Sequence, residues 1–404
     1  TLSGTAFLKT LPGARAQSMG GAYSSIVDDP NSVFANPGAA GFLREWQWST
    51  SYTKWFADVS NASAFFGGRV RMPWSRQTRF AVGLLYQGVP DFDSSNGAMP
   101  FVSSSDAIAS FSIGQPISFI SNNLSIGANV KYLDSKLADY SANALIIDAG
   151  LLGRTNTFHI FNKEAALSFG LALNQFGKEL VFEQYQTPLP LTRRAGLGLY
   201  FGSHFGNQFL ITADYVQIKD KSDYMTVGAE AVIKRKFALN FGWDFGIDLM
   251  QRFTAGASIR LDDSGYLFSK KARNQALRLD FASLNDSRFV GRTYRGTITH
   301  THNHPEGYRF LNWAKGDSLF ADDVTLKWES TLDRDVFDAV RYRIVASQDR
   351  AQMAEIVEAL NTNDRKFESI FQDSLFNYAS STTRSSLNLD DVAGGHWYWV
   401  VAAI

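Results

Sequence analysis

Cysteine is absent from all 404 residues, which excludes thiol catalysis, Cys-ligated zinc and a disulfide scaffold. A helical membrane span is absent too. The longest uncharged stretch, Ala107 to Val130, is broken by Ser, Asn, Gln, Gly and Pro116, where a spanning helix needs about 20 apolar residues. Neither sign of charge dominates, with 39 Lys+Arg against 39 Asp+Glu, so nothing points to nucleic acid as a partner. The first residues show no basic-then-apolar pattern, and an opening at Thr1 is what is expected of a processed, exported protein. Proline is scarce, at 10 residues, whereas glycine reaches 32 and aromatics 14%. That mixture suits many strands rather than helices.

What is present is alternation. Phe237, Leu239, Phe241, Trp243 and Phe245 are apolar, and Ala238, Asn240, Gly242 and Asp244 between them are small or polar. The same period of two runs through Ala165–Leu173, Phe253–Leu261, Leu277–Phe281 and Ile126–Tyr132. One face of each segment therefore meets an apolar medium and the other a polar one. The segments run to about 10–12 residues, the length of a tilted membrane strand, whereas soluble strands average roughly 5–6. Fourteen are expected, beginning near Trp46, Asn61, Thr78, Asp106, Leu124, Asn143, Glu164, Leu191, Asn207, Asp223, Lys236, Arg252, Asn274 and Ser287. The fold class is thus all-β, a 14-stranded antiparallel transmembrane barrel over 46–299. Membrane lipid or lipopolysaccharide surrounds such a wall.

An even count puts both barrel ends on one side, expected to be the periplasm. Pro90–Ser105, Asp134–Ala142 and Gly177–Pro190 then become outward loops. Ser121–Asn123 and Lys234–Lys236 become short inward turns. Trp46, Trp48, Tyr52, Trp55 and Phe56, with Tyr86, Tyr132, Tyr200 and Tyr215, read as an interfacial aromatic girdle. Asn174, Asp214, Asn240, Asp244, Arg260, Arg278 and Asp280 fall on the lumen face, which looks too polar for a greasy path.

Residues 1–45 have a different texture. Gly13-Ala14-Arg15-Ala16, then Met19-Gly20-Gly21-Ala22, Asp28-Asp29 and Asn36-Pro37-Gly38 follow at close intervals. This order resembles the N-terminal signature of FadL-type outer-membrane barrels, most closely the PorV/PorQ branch. Gly38 departs from the usual Ala, and the closing Leu is missing. The resemblance implies a segment folded back into the lumen as a hatch. A filling segment must approach the wall closely, which favours Gly and Ala and demands polar wall partners. The acid pairs Asp28-Asp29 and Asp262-Asp263 read as turn and capping residues.

Residues 307–404 read as a second domain. Val324–Trp328, Val340–Ser347, Ser386–Leu389 and Trp397–Ala403 alternate, and Ala351–Leu360 is more helix than strand. The spacing of Trp328, Tyr342 and the Trp397-Tyr398-Trp399-Val400 run is similar to a fibronectin type III sandwich. A closing strand is expected beyond Ile404, so the domain is expected to be incomplete and the natural polypeptide to continue. By parity it hangs in the periplasm, where it could hold a further partner.

Chemistry-bearing clusters are few. His300, His302 and His304 share a face if extended and could converge on a metal, but Pro305 and Gly307 mark 300–306 as a solvated linker and no metal is expected. The other barrel histidines, His159 and His204, fall in predicted inward turns with no nucleophile and acid beside them, so no enzymatic activity is expected. No phosphate loop surrounds Gly20-Gly21 or Gly67-Gly68, and no cofactor is expected. Two roles follow from the resemblance. The first is a docking scaffold for secreted cargo or translocon subunits, as in type IX secretion. Its contacts would come from Phe92, Met99 and Phe101 in one loop and Leu180, Phe182 and Tyr185 in another. The alternative is transport of hydrophobic small molecules through a lumen gated by the N-terminal segment.

Overall fold

The computed structural model describes residues 6–302 apart from 56–57, 71, 73–77, 93–101, 118–122, 157, 161–162, 184, 203–206, 220, 235, 246–251, 263–274 and 288–290. Beyond these it describes 324–327, 342–347, 351, 353–354, 378–382, 386–389 and 398–403. The chain divides into two units, Thr1–Asn303 and His304–Ile404.

The first unit opens with short 3-10 turns at Ala6–Lys9, Pro30–Phe34 and Pro37–Phe42 and one short helix, α1 (Ala14–Ser18). Strands follow in order: β1 (Trp46–Lys54), β2 (Ser60–Arg69), β3 (Arg79–Phe92), β4 (Val102–Pro116), β5 (Leu124–Leu137) and β6 (Tyr140–Arg154). Then come the three-residue β7 (Phe158–Ile160), β8 (Lys163–Gly177), and the small hairpin of β9 (Leu180–Phe182) and β10 (Tyr185–Thr187). The wall continues through β11 (Thr192–Gly202), β12 (Gln208–Ile218), β13 (Tyr224–Ile233), β14 (Phe237–Phe245), β15 (Arg252–Asp262), β16 (Gln275–Ser287) and β17 (Gly291–His302). Setting aside the three short pieces, fourteen strands pair antiparallel with their sequence neighbours. β17 closes on β1, with Trp46 opposite His302 and Lys54 opposite Tyr294. Closure leaves no edge of unpaired backbone. All fourteen expected strands are present, and their first residues lie within a few positions of those read from the alternation.

The expected division of faces is also there. In β14, Phe237, Leu239, Phe241, Trp243 and Phe245 all point out, while Ala238, Asn240 and Gly242 are buried inside. β5 and β6 present Ile126, Val130, Tyr132, Leu145 and Ile147 outward in the same way. Such a continuous apolar band far exceeds what a water-soluble monomer exposes. Of the girdle residues, Trp48, Tyr52, Tyr86, Tyr132 and Tyr215 face out. Tyr200 does not. It stands on the inward parity of β11, is 4% exposed, and its hydroxyl accepts a hydrogen bond from the Val27 amide. Aromatic character at a strand end does not by itself fix which face the ring takes.

The barrel also extends three residues past Thr299. His300, Thr301 and His302 pair with Leu277, Ala276 and Gln275, so the first part of the expected linker is strand.

In the second unit, β18 (Val324–Lys327) pairs with β21 (Ser386–Leu389), and β19 (Tyr342–Ser347) is flanked by β20 (Tyr378–Thr382) and β22 (Tyr398–Ala403). All the described pairings there are antiparallel.

Candidate functional site

The lumen is filled by the N-terminal segment, which is buried over nearly all of 7–44. It fits because the wall is carved by glycine. Gly114, Gly127, Gly150, Gly170 and Gly242 face inward on β4, β5, β6, β8 and β14. A Cβ on any of them would come within 1.9–2.2 Å of an atom of the segment. At Gly127 the obstacle is the Pro37 carbonyl oxygen, at 2.1 Å, and at Gly150 the Asn36 Oδ1, at 2.0 Å. No side chain can be inserted at such distances, so the wall there must end at its backbone. Gly20, with φ of 66°, adopts the left-handed conformation where the segment turns against Trp243.

Polar partners fix the segment at both ends of its sequence signature. Arg15 donates from Nε and Nη2 to Glu230 of β13, at 2.7 and 2.6 Å, and from Nη1 to Asp28 at 2.9 Å. Asp29 pairs with Arg278 of β16, which also holds Asp280 at 3.0 Å. The acid pair read as turn and cap is therefore an ionic anchor, although Asp29 also caps its turn by accepting from Asn31 N at 2.7 Å. A local sequence cannot show that two cations 15 and 278 positions along converge on it. Asp214 of β12 accepts from the amides of Tyr23 and Ser24 at 3.0 and 2.9 Å. Asn36 caps the next turn through Gly38 N and donates to the carbonyls of Ser24 and Leu151 at 2.8 and 2.9 Å. Ala14 N donates to Thr297 Oγ1 at 2.7 Å, and Met19 is completely buried against Gly228. Gly13, Gly21, Pro37 and Gly38 lie in the same packed segment. The residues of the signature are thus brought together in one place.

The lumen is not polar throughout, contrary to the sequence expectation. Towards the end bearing the 177–191 connection, Leu85, Ile108, Leu133 and Ala144 face inward as direct cross-strand neighbours on β3 to β6. Ile146 lies beside them, and Leu180 and Leu189 cover them. Phe7 and Leu8 of the N-terminal segment occupy the chamber so formed, both under 9% exposed. Two side chains fasten this stretch: Gln175 donates to Leu8 O at 3.1 Å and Arg295 to Leu11 O at 2.7 Å. Beside Phe7 and Leu11 a cleft of about 20 Å³ reaches Asn61 and Leu85, room for a water molecule. The signal for the chamber was in the sequence, because Ala142, Ala144 and Ile146 interrupt the polar parity with apolar residues on both faces of β6.

Of the loop residues expected to be exposed, Tyr185 is, at 79%, and Val181 of the same hairpin is at 49%. Phe182 is half-buried against the chamber. Leu180 is 1% exposed, a correction, because the β9–β10 hairpin folds over the chamber and turns this side chain down. Phe92 ends β3 with its side chain outside the described residues, as are Met99 and Phe101. His300 faces outward and stacks on Trp46 and Trp48, with ring centroids 4.9 and 5.7 Å away. His302 ends β17, while its side chain and all of His304 lie outside the described residues. Among the described residues no three His, Cys, Asp or Glu are grouped to hold a metal.

The toluene transporter TbuX of Ralstonia pickettii is similar over 72% of this chain and 98% of its own, with 13% identity and a TM-score of 0.47. The toluene transporter TodX of Pseudomonas putida covers the same shares with 12% identity and 0.47. A Pseudomonas aeruginosa FadL homologue does so with 10% and 0.43. No family model matches the chain, and no curated protein does.

Proposed function

We propose that the protein is a bacterial outer-membrane barrel of FadL type that moves small hydrophobic molecules through a lumen closed by its own N-terminal segment. The membrane address is supported by a closed wall with a continuous apolar exterior, which has no alternative partner but hydrocarbon. One observation carries the transport reading: an apolar chamber inside the lumen whose present occupants, Phe7 and Leu8, belong to the segment rather than the wall. Burying each of those side chains contributes roughly 1.5–3 kcal/mol, a quantity that an entering apolar molecule can replace. The toluene transporters with similar folds bring a substrate class of the same kind. The test is uptake of a labelled monoaromatic by cells carrying the full chain or its Phe7→Asp variant. Uptake several-fold above that of cells lacking the protein, and altered in the variant, is expected. Uptake equal in all three would end the transport reading.

A second reading is docking of secreted or translocon proteins, as the PorV-like signature implies. It is favoured by Tyr185 and Val181, which project from a hairpin anchored by Leu180. Pull-down from detergent extracts, with and without residues 177–190, tests it. Co-purifying proteins unchanged by the deletion would count against it. The tail is read as a fibronectin type III-like sandwich on the periplasmic side, a reading supported by its two antiparallel sheets.

A further inference from the structure

The apolar row Leu85–Ile108–Leu133–Ala144 has a second row directly above it. One residue pair further along each strand, Asn61, Gln87, Asp106 and Ser135 are cross-strand partners on β2, β3, β4 and β5. They lie on the inward parity, and Asp106 is the one ionisable group among them. Asp106 is 6% exposed and, among the described residues, accepts one hydrogen bond, from Ser135 Oγ at 2.5 Å. No cation among the described residues is within ion-pair reach of it. Arg295 occupies the same circumferential row through Thr53 and Asn61, but four strand spacings of about 4.8 Å, roughly 19 Å, separate it from β4. Arg295 is also engaged with Thr53 and Leu11.

The amide oxygens of the row are unused as well. Asn61, 7% exposed, has Oδ1 without a partner among the described residues, and so does Gln87 at Oε1. Asn61 lines the cleft beside Phe7 and Leu11, so its side chain borders the space an entering molecule would take. Buried carboxylates are ordinarily paired, and buried amide oxygens ordinarily accept a hydrogen bond. Here three acceptors on the adjacent strands β2, β3 and β4, one of them anionic, share a row above a hydrocarbon surface; among the described residues Asp106 accepts from Ser135, and the two amide oxygens accept nothing.

We infer that the chamber takes an apolar molecule bearing a protonated amine. The hydrocarbon body replaces Phe7 on the lower row, and the ammonium group donates to Asp106 and the amide oxygens of Asn61 and Gln87. A carboxylate-bearing molecule of the same shape is disfavoured, because its charge would face Asp106 without a cation to meet it. This inference rests on the transport reading above and narrows its substrate class.

The probes are 2-phenylethylammonium, n-propylbenzene and 3-phenylpropanoate, titrated calorimetrically into the detergent-solubilised full chain and into Phe7→Ala, which vacates the lower row. The ammonium should bind about ten-fold or more tightly than the neutral probe, the advantage of a charge-assisted hydrogen bond, and the carboxylate should bind least. Asp106→Asn should bring ammonium and neutral probe to within about two-fold of each other. Asn61→Ala, which keeps the carboxylate, should reduce the advantage partially, and it serves if Asp106→Asn does not assemble. Equal affinity for ammonium and neutral probes in the wild-type chain overturns the inference alone. An ammonium preference that survives Asp106→Asn does the same. Failure of every probe to bind either chain overturns both the inference and the transport reading.

Discussion

Arg15 and Glu230, 215 positions apart, are joined by two hydrogen bonds of 2.7 and 2.6 Å, and both side chains are buried. Arg15 also meets Asp28 at 2.9 Å and Asp29 at 3.6 Å. The pair makes the plug and the wall one structure.

Removing one partner should therefore cost more than removing both. Arg15→Met leaves Glu230 buried and Asp28 half-buried without their cation, which should cost about 3–5 kcal/mol. Arg15→Met with Glu230→Leu should recover part of that loss. The measurement is the temperature at which the folded barrel loses its compact electrophoretic mobility. A double variant less stable than the single one would refute the anchor.

The glycine seat predicts a contrast between two positions. Gly127→Val drives side-chain atoms into the Pro37 carbonyl and should expel the segment, seen as new protease cleavage within 13–44. At Gly296 a Cβ would meet nothing within 4 Å, so Gly296→Ala should change stability by no more than about 0.5 kcal/mol. Equal protease resistance of Gly127→Val and wild type would show that the segment is not seated on the wall backbone.

Leu180 and Tyr185, five residues apart, should behave oppositely. Leu180→Ala removes a buried side chain from the chamber cover and should destabilise by about 2–5 kcal/mol. Tyr185→Ser should leave stability within about 0.5 kcal/mol and alter only what the hairpin binds. Thermal unfolding separates them, and a stability loss in Tyr185→Ser comparable to that of Leu180→Ala would contradict the exposed position.

Asp148 supports the wall where β6 and β8 slip register between Ile147 and Ala149. It pairs with Lys131 at 2.5 Å and accepts from Gln175 N at 2.8 Å. Asp148→Ala should cost about 3–5 kcal/mol, since Lys131 remains buried and unpaired. Amide exchange at Gln175 should rise with it. Unchanged exchange would mean that the irregularity is held by something other than this carboxylate.

The strands, their number and the two faces of the wall were legible in the sequence, because a period of two is local: each residue carries its own side. A lumen-filling N-terminal segment was implied by the resemblance of its signature, and Gly and Ala there, with glycine on the inward parity, agree with it. Which atoms meet was not. Asp28-Asp29 looked like turn chemistry because Glu230 and Arg278 reach the same spot only after the wall has closed. Tyr200 and Leu180 were misplaced for a related reason, since an aromatic or an apolar loop residue does not declare which way it turns. Apolar residues on both faces of β6 hint at the chamber, but its closure, and the acceptor row above it, exist only as register across β2 to β6. Local alternation set the wall, and closure of that wall around the N-terminal segment decided the site.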